Sequence, residues 1–289
     1  MTTGPVLYDV AGPAERRRSR LISGILTVVL LVGAGLFAYR LYLNGVFDDR
    51  WAVLVDVPTN FAGFETRHVW QAIFRGLGNT LLAAVIALPL AALLAVVLVS
   101  VRASPIAPLR WLATGIIEIF RGLPVVLVMF FGILVLPGAT PLMAVVFGLV
   151  LYNSAVFAEI LRAGITALPK GQTEAAQSVG MGPMLIYRDI QLPQAVRMML
   201  PSLIAQGVVL VKDSSLGYIV GYAELLRGVS RVSDALTNAA YLLPLLAVGA
   251  AIYIALNITL SRVAVWVQHR SSLARKAPAR VTGAAEVPD

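Results

Sequence analysis

The sequence predicts an all-α integral membrane protein with about six transmembrane helices. Hydrophobic residues make up 58% of its 289 residues and charged residues only 13%, and the mean hydropathy is +0.83. A soluble domain of this length could not bury so much apolar surface. The apolar residues also fall into separate runs of roughly 20 residues, which is the length that a helix needs to cross a bilayer. Polar and often basic stretches separate these runs, as is typical of a protein that crosses the membrane repeatedly.

The N-terminal part of the chain predicts a cytoplasmic tail at residues 1–20 and a first transmembrane helix at residues 21–43. A basic stretch from Arg16 to Arg20 precedes the apolar run, so a secretory signal, even one of the twin-arginine type, is one interpretation. The run is about 20 residues long, however, whereas the apolar part of a signal has about 7–15, and no good cleavage site follows it. We therefore interpret the run as a retained span.

Residues 44–78 are predicted to form an external loop, because acidic residues concentrate there. Trp70, Ile73 and Phe74 would lie on one face if the end of this region formed a short helix along the membrane interface. An ordinary solvated loop is the simpler interpretation, and we favour it.

The later spans form a predicted five-span core at residues 79–267, followed by a basic cytoplasmic tail at residues 268–289. Gly122 and Pro124 lie inside one span and predict a break, whose freed backbone groups must face protein or water. Basic residues favour the cytoplasmic side, which places both termini inside, although several arginines fall in external loops. The last external loop carries Glu224, Arg227, Arg231 and Asp234. The predicted core spans are residues 79–101, 112–136, 142–161, 198–222 and 240–267.

Residues 171–193 are a polar stretch between two of these spans, and we call them the EAA segment after the Glu-Ala-Ala that they contain. The pattern predicts two short helices joined by a glycine-rich corner at Gly180. Ala175, Ala176 and Val179 would give the first helix a small, smooth face, and Leu192-Pro193 is expected to end the second helix. A compact knob of this kind suits docking into a groove on another protein and does not suit catalysis.

The spacing within the EAA segment resembles the EAA loop of ABC importer permeases. In that family EAA is followed by three residues, a glycine, nine residues, an isoleucine, one residue and Leu-Pro, and every element has its match here. An ordinary cytoplasmic loop is the alternative for a bare Glu-Ala-Ala, but the full spacing argues against it. The resemblance implies coupling helices that dock into a cytoplasmic ATPase subunit. The implied ATPase-coupling residues are Glu174, Ala175, Ala176, Gly180, Ile190, Leu192 and Pro193.

Three further stretches resemble the polar amino acid permeases within the ABC importer family. They are the Phe-Arg-Gly-x-Pro at residues 120–124, residues 159–165, and the Lys-Asp-Ser-Ser-Leu at residues 212–216. Together with the EAA segment they cover roughly the five-span core. The first span and the long external loop resemble additions that occur in actinobacterial glutamate-type permeases. Ala163 stands where glycine is common in the family, which is a mild departure.

Polar and ionisable residues inside the predicted spans are candidates for the translocation path or for ion pairs within the membrane. A charged side chain that is left unpaired in lipid costs about 3 kcal/mol or more. For Lys212, contact with a substrate carboxylate and an ion pair with a neighbouring helix are equally open. Adjacent residues point about 100° apart on a helix, so Lys212 and Asp213 cannot both face one path. The candidates are Glu118, Arg121, Asn153, Lys212, Asp213, Ser214 and Ser215.

For the other candidates we favour structural roles. Glu118 and Arg121 are three residues apart and could pair on one helix face, and we prefer that packing role for Arg121 over contact with substrate. Glu159 and Arg162 are expected to stabilise the cytoplasmic end of their span. Asn153 could line the path, but hydrogen bonding between helices explains it equally well.

Several kinds of chemistry are excluded or unsupported. The chain has no cysteine, so disulfides and thiolate sites are ruled out, and it lacks the glycine-rich P-loop that cradles nucleotides. His68 and His269 fall in a predicted loop and tail, and no catalytic triad is recognisable. We therefore predict a subunit that is not an enzyme and binds no cofactor, with ATP and Mg²⁺ held by the ATPase that the resemblance implies. The net charge of +8 lies largely in tails and loops and does not indicate nucleic-acid binding.

Taken together, the residues and the resemblance predict a permease subunit of an ATP-driven ABC importer that moves a polar amino acid, such as glutamate, by alternating access. It would span the bacterial cytoplasmic (inner) membrane. The implied partners are a cytoplasmic ABC ATPase dimer, a second permease chain (the same or homologous) and an extracytoplasmic substrate-binding protein. The alternative is a self-sufficient secondary transporter, whose expected inverted repeat we do not find. An integral membrane enzyme would need a cluster of catalytic groups, and only scattered pairs occur. The choice of amino acid and the role of the first span stay open.

Overall fold

The structure is a computed structural model, and it describes residues 12–45, 48–57, 65–236 and 239–273. These residues divide into two compact units, residues 1–58 and residues 59–289. In the first unit, helix α1 spans Pro13–Leu43 and a short 3-10 helix spans Asp49–Leu54. Glu15 in the first turn of α1 and Arg40 in the last turn complement the helix dipole. Helix α1 thus includes residues 13–20, which were predicted as tail, while residues 1–11 lie outside the described residues.

The second unit is built from helices, and its described residues include no strand. The helices before the EAA segment are α2 (Thr66–Arg102), α3 (Ala107–Gly122), α4 (Val125–Val135) and α5 (Pro141–Thr166). Those of the EAA segment are α6 (Lys170–Ser178), α7 (Pro183–Ile186) and a π-helix (Tyr187–Gln191). After it come α8 (Leu192–Asp213), a 3-10 helix (Ser214–Tyr218), α9 (Leu225–Ala235), a second 3-10 helix (Ala239–Tyr241) and α10 (Leu242–Leu273).

The number of membrane spans agrees with the prediction of about six. Within the described residues, five helical stretches are long and apolar enough to cross a bilayer, and α3 with α4 would make a sixth if the two are counted together. These two helices meet at a bend of 110°. The predicted break at Gly122 and Pro124 is therefore confirmed.

Helix α5 lies at the centre of the second unit and packs against α2, α3, α4 and α8. Helix α2 places small side chains in the core, with one fully buried alanine on every turn at Ala83, Ala87, Ala91 and Ala95. Small side chains let two helix backbones approach closely, which is how membrane helices gain packing energy without a hydrophobic driving force. Gly148 serves the same purpose on α5, where an added Cβ would lie 2.8 Å from the backbone nitrogen of Met129 on α4.

The predicted external loop at residues 44–78 is corrected by the structure, because α2 begins at Thr66. The solvated-loop interpretation is therefore wrong for residues 66–78. Val69 and Ile73 are fully buried, so tertiary packing extends the helix well beyond the apolar run. His68 belongs to the first helical turn, where its Nδ1 accepts a hydrogen bond from the Glu65 backbone N–H at 3.0 Å. This reciprocal cap with Glu65 starts the helix.

The predicted loop that carries Glu224 and Arg227 is also corrected, because most of it forms helix α9. Leu225, Val229 and Val232 recur at helical spacing and are buried, and α9 packs against α2 and α10. A short amphipathic helix is weakly apolar on average, so a search for apolar runs does not find it.

Several predicted span limits shift for a related reason, since helices run past the apolar stretch at their polar ends. Helix α8 begins at Leu192 and not at 198. Its other end is the exception, because α8 stops at Asp213 before a 3-10 turn and not at the predicted 222. Helix α10 continues to Leu273, inside the predicted tail 268–289. The side chain of His269 and residues 274–289 lie outside the described residues.

Candidate functional site

The corner of the EAA segment is a helix stop that depends on glycine. The N–H of Gly180 donates to the carbonyl oxygen of Gln177 at 2.9 Å, and the N–H of Met181 donates to that of Ala176 at 3.1 Å. This pair of bonds is the Schellman motif, which requires a left-handed residue at its centre. Gly180 has φ +83, and a Cβ added to it would meet no atom within 4 Å. The requirement for glycine is therefore conformational and not steric.

The exposed surface of the corner differs from the predicted face. Ala176 is buried against the protein, whereas Ala175 is exposed and Val179 has 76% of its surface exposed. Ala175 and Ala176 separate because consecutive helical residues point about 100° apart. Met184 and Leu185 on α7 are also exposed. The corner thus presents apolar side chains, which is typical of a surface that binds another protein.

The predicted end of the second helix at Leu192-Pro193 is wrong. The chain passes from α7 through the π-helix Tyr187–Gln191 directly into α8, which starts at Leu192. Pro193 fits there because the first turn of a helix has N–H groups without helical partners. The corner is consequently continuous with a 22-residue helix that runs through the bundle to Asp213.

Side-chain hydrogen bonds hold α6 against the end of the π-helix and the start of α8. The Gln191 amide donates to the Thr173 hydroxyl at 3.1 Å, and the Gln194 amide donates to the Gln172 amide oxygen at 2.8 Å. Tyr187 is buried, and its hydroxyl lies 3.2 Å from that of Ser100 on α2. These contacts make the EAA segment and the adjoining end of the bundle one connected body.

The other predicted coupling residues differ in exposure. Glu174 is exposed and forms no ion pair with any residue that the structure describes, so its carboxylate is available to a partner. Ile190 and Leu192 are half-buried and Pro193 is exposed. The exposed members of the predicted set therefore lie on α6, at Gly180 and at the first turn of α8.

A cluster of charges lies at the same end of the bundle as the EAA segment, which we call the EAA end. The Glu159 carboxylate accepts from Arg162 at 2.9 Å and from Arg102 at 3.0 Å, and it lies 3.6 Å from Arg121. Arg121 also contacts Glu118 at 3.3 Å. The predicted pair of Glu118 and Arg121 thus forms, and it joins Glu159 and Arg162 in one network. Sequence reasoning missed Arg102, because its partner is 57 residues away in the chain.

Residues 212–215, which we call the Lys212 patch, lie where α8 ends and the following 3-10 helix begins. The Lys212 side chain is exposed, Asp213 is half-buried, and neither forms an ion pair with a described residue. The hydroxyls of Ser214 and Ser215 donate to backbone carbonyls of α8, at 2.7 and 2.8 Å. Within the described chain the ion-pair interpretation of Lys212 therefore has no support.

An open groove of about 780 Å³ lies beside Lys212, between α8 and α10. Its lining includes Tyr253, Asn257 and Arg262 on α10. The hydroxyl of Tyr253 donates to the carbonyl oxygen of Lys212 at 2.7 Å and fixes that end of α8. The groove combines two cationic side chains with apolar walls, which is a setting that can bind a carboxylate.

Asn153 is fully buried and bridges two helices. Its amide nitrogen donates to the carbonyl oxygen of Leu149 at 2.9 Å, and its amide oxygen accepts from Gln206 of α8 at 3.1 Å. This geometry favours the interpretation of Asn153 as a hydrogen bond between helices. The neighbouring Ser154 hydroxyl donates to the carbonyl oxygen of Leu151.

The opposite end of the bundle contains a buried carboxylate that sequence reasoning left in a loop. Glu224 caps α9 by accepting from the backbone N–H groups of Leu226 and Arg227, at 2.9 and 2.8 Å. Burial raises the pKa of the Glu224 carboxyl, and these two N–H groups oppose the shift. No group of three or more His, Cys, Asp or Glu side chains within the described residues could hold a metal ion.

Comparison with known proteins identifies a family and relatives that cover most of this chain. A family model described as "Binding-protein-dependent transport system inner membrane component" matches residues 100–272. The glutamate transport system permease protein GluD of Corynebacterium glutamicum is 42% identical over 255 residues, which are 85% of this chain and 89% of that protein. The glutamate/aspartate import permease protein GltK of Escherichia coli O157:H7 is 33% identical over 171 residues, which are 55% of this chain and 76% of that protein.

Solved structures give the same fold. A crystal structure of an amino acid ABC transporter with histidines matches with a TM-score of 0.63 and 28% identity, over 69% of this chain and 94% of that chain. An inward-facing structure of the MetNI methionine ABC transporter matches with a TM-score of 0.57 and 19% identity, over 70% and 96% of the two chains. At that identity the second likeness concerns the fold alone.

Proposed function

Because this chain belongs to the family of binding-protein-dependent transport system inner membrane components, we propose that it is the permease subunit of an ATP-driven importer of a polar amino acid. The observation that carries this proposal is the EAA segment, whose exposed apolar corner continues into α8. A push on the corner is transmitted along the axis of α8 to the Lys212 patch at the far end of that helix. Alternating access follows from that motion.

The proposed partners supply ATP hydrolysis and the delivery of substrate. A cytoplasmic ATPase dimer binds the corners of two permease chains, which are two copies of this one or this one and a homologue. ATP and Mg²⁺ bind to the ATPase, since the chain has no P-loop. A substrate-binding protein delivers the amino acid from outside. The ATPase contacts the exposed residues Glu174, Ala175 and Gly180, whereas the buried Ala176 packs α6 against the rest of the protein.

The substrate is glutamate or a chemically similar amino acid. The relatives in Corynebacterium and Escherichia are named for glutamate and for glutamate with aspartate. Lys212 and Arg262 both line the groove between α8 and α10, and a cation attracts the carboxylates of such a substrate. A second permease chain would enclose this groove and complete the path.

The orientation follows from the EAA segment and the basic stretches. With the EAA end in the cytoplasm of a bacterium, Arg16 to Arg20 and the C-terminal tail also lie inside, in agreement with the positive-inside rule. The inner membrane is then crossed by α1, by the five-span core, and by no other segment of the described chain. Helix α9 and Glu224 lie on the outer side.

The test is uptake of radiolabelled glutamate into proteoliposomes that contain the full chain, its ATPase and its binding protein. We expect uptake only when ATP and the binding protein are both present. Lys212→Gln should reduce uptake about tenfold, because one charge contact with a carboxylate contributes roughly 1.5–3 kcal/mol, whereas Arg17→Gln on α1 should not. Uptake that an ion gradient drives without ATP would instead establish the secondary transporter and exclude this function.

A further inference from the structure

A second pocket, of about 400 Å³, opens at the EAA end of the bundle and is separate from the groove beside Lys212. It lies where the end of α2, the start of α3 and the end of α5 meet the π-helix. We call it the arginine pocket, because guanidinium groups from three helices line it. Its lining includes Arg102, Arg110, Trp111, Thr114, Arg162 and Thr166.

Positive charge in the arginine pocket exceeds the negative charge that compensates it. Arg102 and Arg162 share the single carboxylate of Glu159, which Arg121 also approaches. Arg110 is exposed and forms no ion pair with any residue in the described ranges. An unpaired guanidinium beside two others repels them unless an anion joins the site. The pocket therefore has the electrostatics of an anion site.

The geometry of guanidinium groups favours one class of anion. Their N–H donors lie in a planar fork that matches the oxygens of a phosphate group, and they bind it with two parallel hydrogen bonds. Arg110 stands at the first turns of α3, where the positive end of a helix dipole adds to the attraction. A phosphate group thus fits the chemistry of the pocket.

The surface beside the pocket indicates where that phosphate comes from. Trp111 has 72% of its surface exposed, and Leu109 and Leu112 next to it are 42% and 61% exposed. Tryptophan at the end of a membrane helix is typical of the headgroup level of the bilayer, with apolar side chains below it. Basic pockets between helices at this depth bind anionic lipid headgroups.

We propose that the arginine pocket binds the phosphate group of an anionic phospholipid, with Arg110 as its principal contact and with the acyl chains along Leu109 and Leu112. Tyr187 and Gln191 of the π-helix also line the pocket, so a bound lipid braces the junction between the EAA segment and the bundle. The proposed function places the EAA end in the cytoplasm, and only on that basis does this lipid belong to the cytoplasmic leaflet. The lipid contact itself does not depend on it.

The test is native mass spectrometry of the full chain, released from nanodiscs that contain phosphatidylglycerol and phosphatidylcholine in equal amounts. We expect the wild type to retain phosphatidylglycerol, and Arg110→Gln to retain about fivefold less, which corresponds to ~1 kcal/mol for one arginine near a lipid surface. Arg110→Lys keeps the charge and should retain an intermediate amount. Arg188→Gln is the matched control, because Arg188 is exposed in the EAA segment but does not line the pocket.

Three outcomes would overturn the proposal. Equal retention of phosphatidylglycerol by Arg110→Gln and Arg188→Gln would remove Arg110 from the site. Equal retention of phosphatidylcholine by the wild type would show that acyl chains alone hold the lipid. Displacement of phosphatidylglycerol by millimolar inorganic phosphate, with the same dependence on Arg110, would assign the pocket to a soluble anion. Because the chain is tested without its ATPase, a failure of the transport proposal leaves this result unaffected.

Discussion

Glu159 is the residue on which the charges at the EAA end converge, since it contacts arginines from α2, α3 and α5. Its side chain is only 23% exposed, so water screens these contacts poorly. Glu159→Gln would remove the carboxylate that Arg102 and Arg162 share, and these two guanidinium groups would then repel each other. We expect the variant to lose about 2 kcal/mol of stability, because hydrogen bonds to charged groups contribute roughly 1.5–3 kcal/mol each.

The measurement for Glu159→Gln is a thermal melt of the purified chain in mild detergent, compared with Glu118→Gln. Within the described residues Glu118 forms an ion pair with Arg121, and its side chain is 51% exposed. Its replacement should therefore change stability by less than about 1 kcal/mol. Equal melting temperatures for the two variants would mean that Glu159 does not hold the network together.

Contacts between individual residues differ in whether the sequence predicts them. The helix-ending corner at Gly180 and the pairing of Glu118 with Arg121 were predicted correctly, because both depend on neighbours within a few residues. The contact of Arg102 with Glu159 and that of Asn153 with Gln206 join residues on different helices. A single sequence contains no signal for such pairs, since only the packed fold brings them together.

At the scale of elements, the crossing of α2 and α9 depends on two glycines. A Cβ added to Gly76 would lie 2.8 Å from the Cα of Leu225 and 2.9 Å from the carbonyl oxygen of Glu224. A Cβ added to Gly228 would lie 2.8 Å from the carbonyl oxygen of Ala72. These neighbours are backbone atoms and cannot move aside cheaply. Gly76→Ala should therefore destabilise the chain by about 1–3 kcal/mol.

Gly78→Ala is the matched control for the crossing, because Gly78 is on the same helix and a Cβ there meets no atom within 4 Å. It should leave stability unchanged or raise it slightly, as alanine is the better helix former. Thermal melts of both variants in the same detergent provide the comparison. If Gly76→Ala melts at the temperature of the wild type, α9 does not approach α2 closely enough at Gly76 to exclude a Cβ atom.

Elements were predicted well where they are long and apolar, and poorly where they are short or polar. The spans and the broken pair α3–α4 follow from runs of apolar residues and from Gly122 and Pro124. Helix α9 and the first turns of α2 were missed because their stability comes from burial against other helices, as at Ile73 and Val229. The continuity of the EAA segment with α8 was missed because Pro193 was interpreted as a stop, although it also fits a first helical turn.

At the scale of the whole molecule, the two ends of the second unit have different characters. The EAA end gathers arginines, an exposed apolar corner and a pocket suited to phosphate. The opposite end is closed by tight packing and by hydrogen bonds between α2 and the segment before α9, such as that from Tyr222 to the Asn79 carbonyl oxygen at 2.8 Å. Helix α8 connects the two ends, which makes it the element that transmits motion in the proposed transport cycle.

In the proposed function a glycine-dependent corner couples this chain to an ATPase. A pull-down of the full chain from its native membrane in mild detergent tests that coupling. We expect the wild type to retain a P-loop ATPase and Gly180→Val to retain roughly tenfold less, since a β-branched residue at positive φ costs about 1–3 kcal/mol. Gly180→Asn tolerates that conformation and should retain the ATPase, as should Gly78→Val, which lies far from the corner. An ATPase bound equally by wild type and Gly180→Val, or absent from both, would show that the corner at Gly180 does not couple this chain to an ATPase.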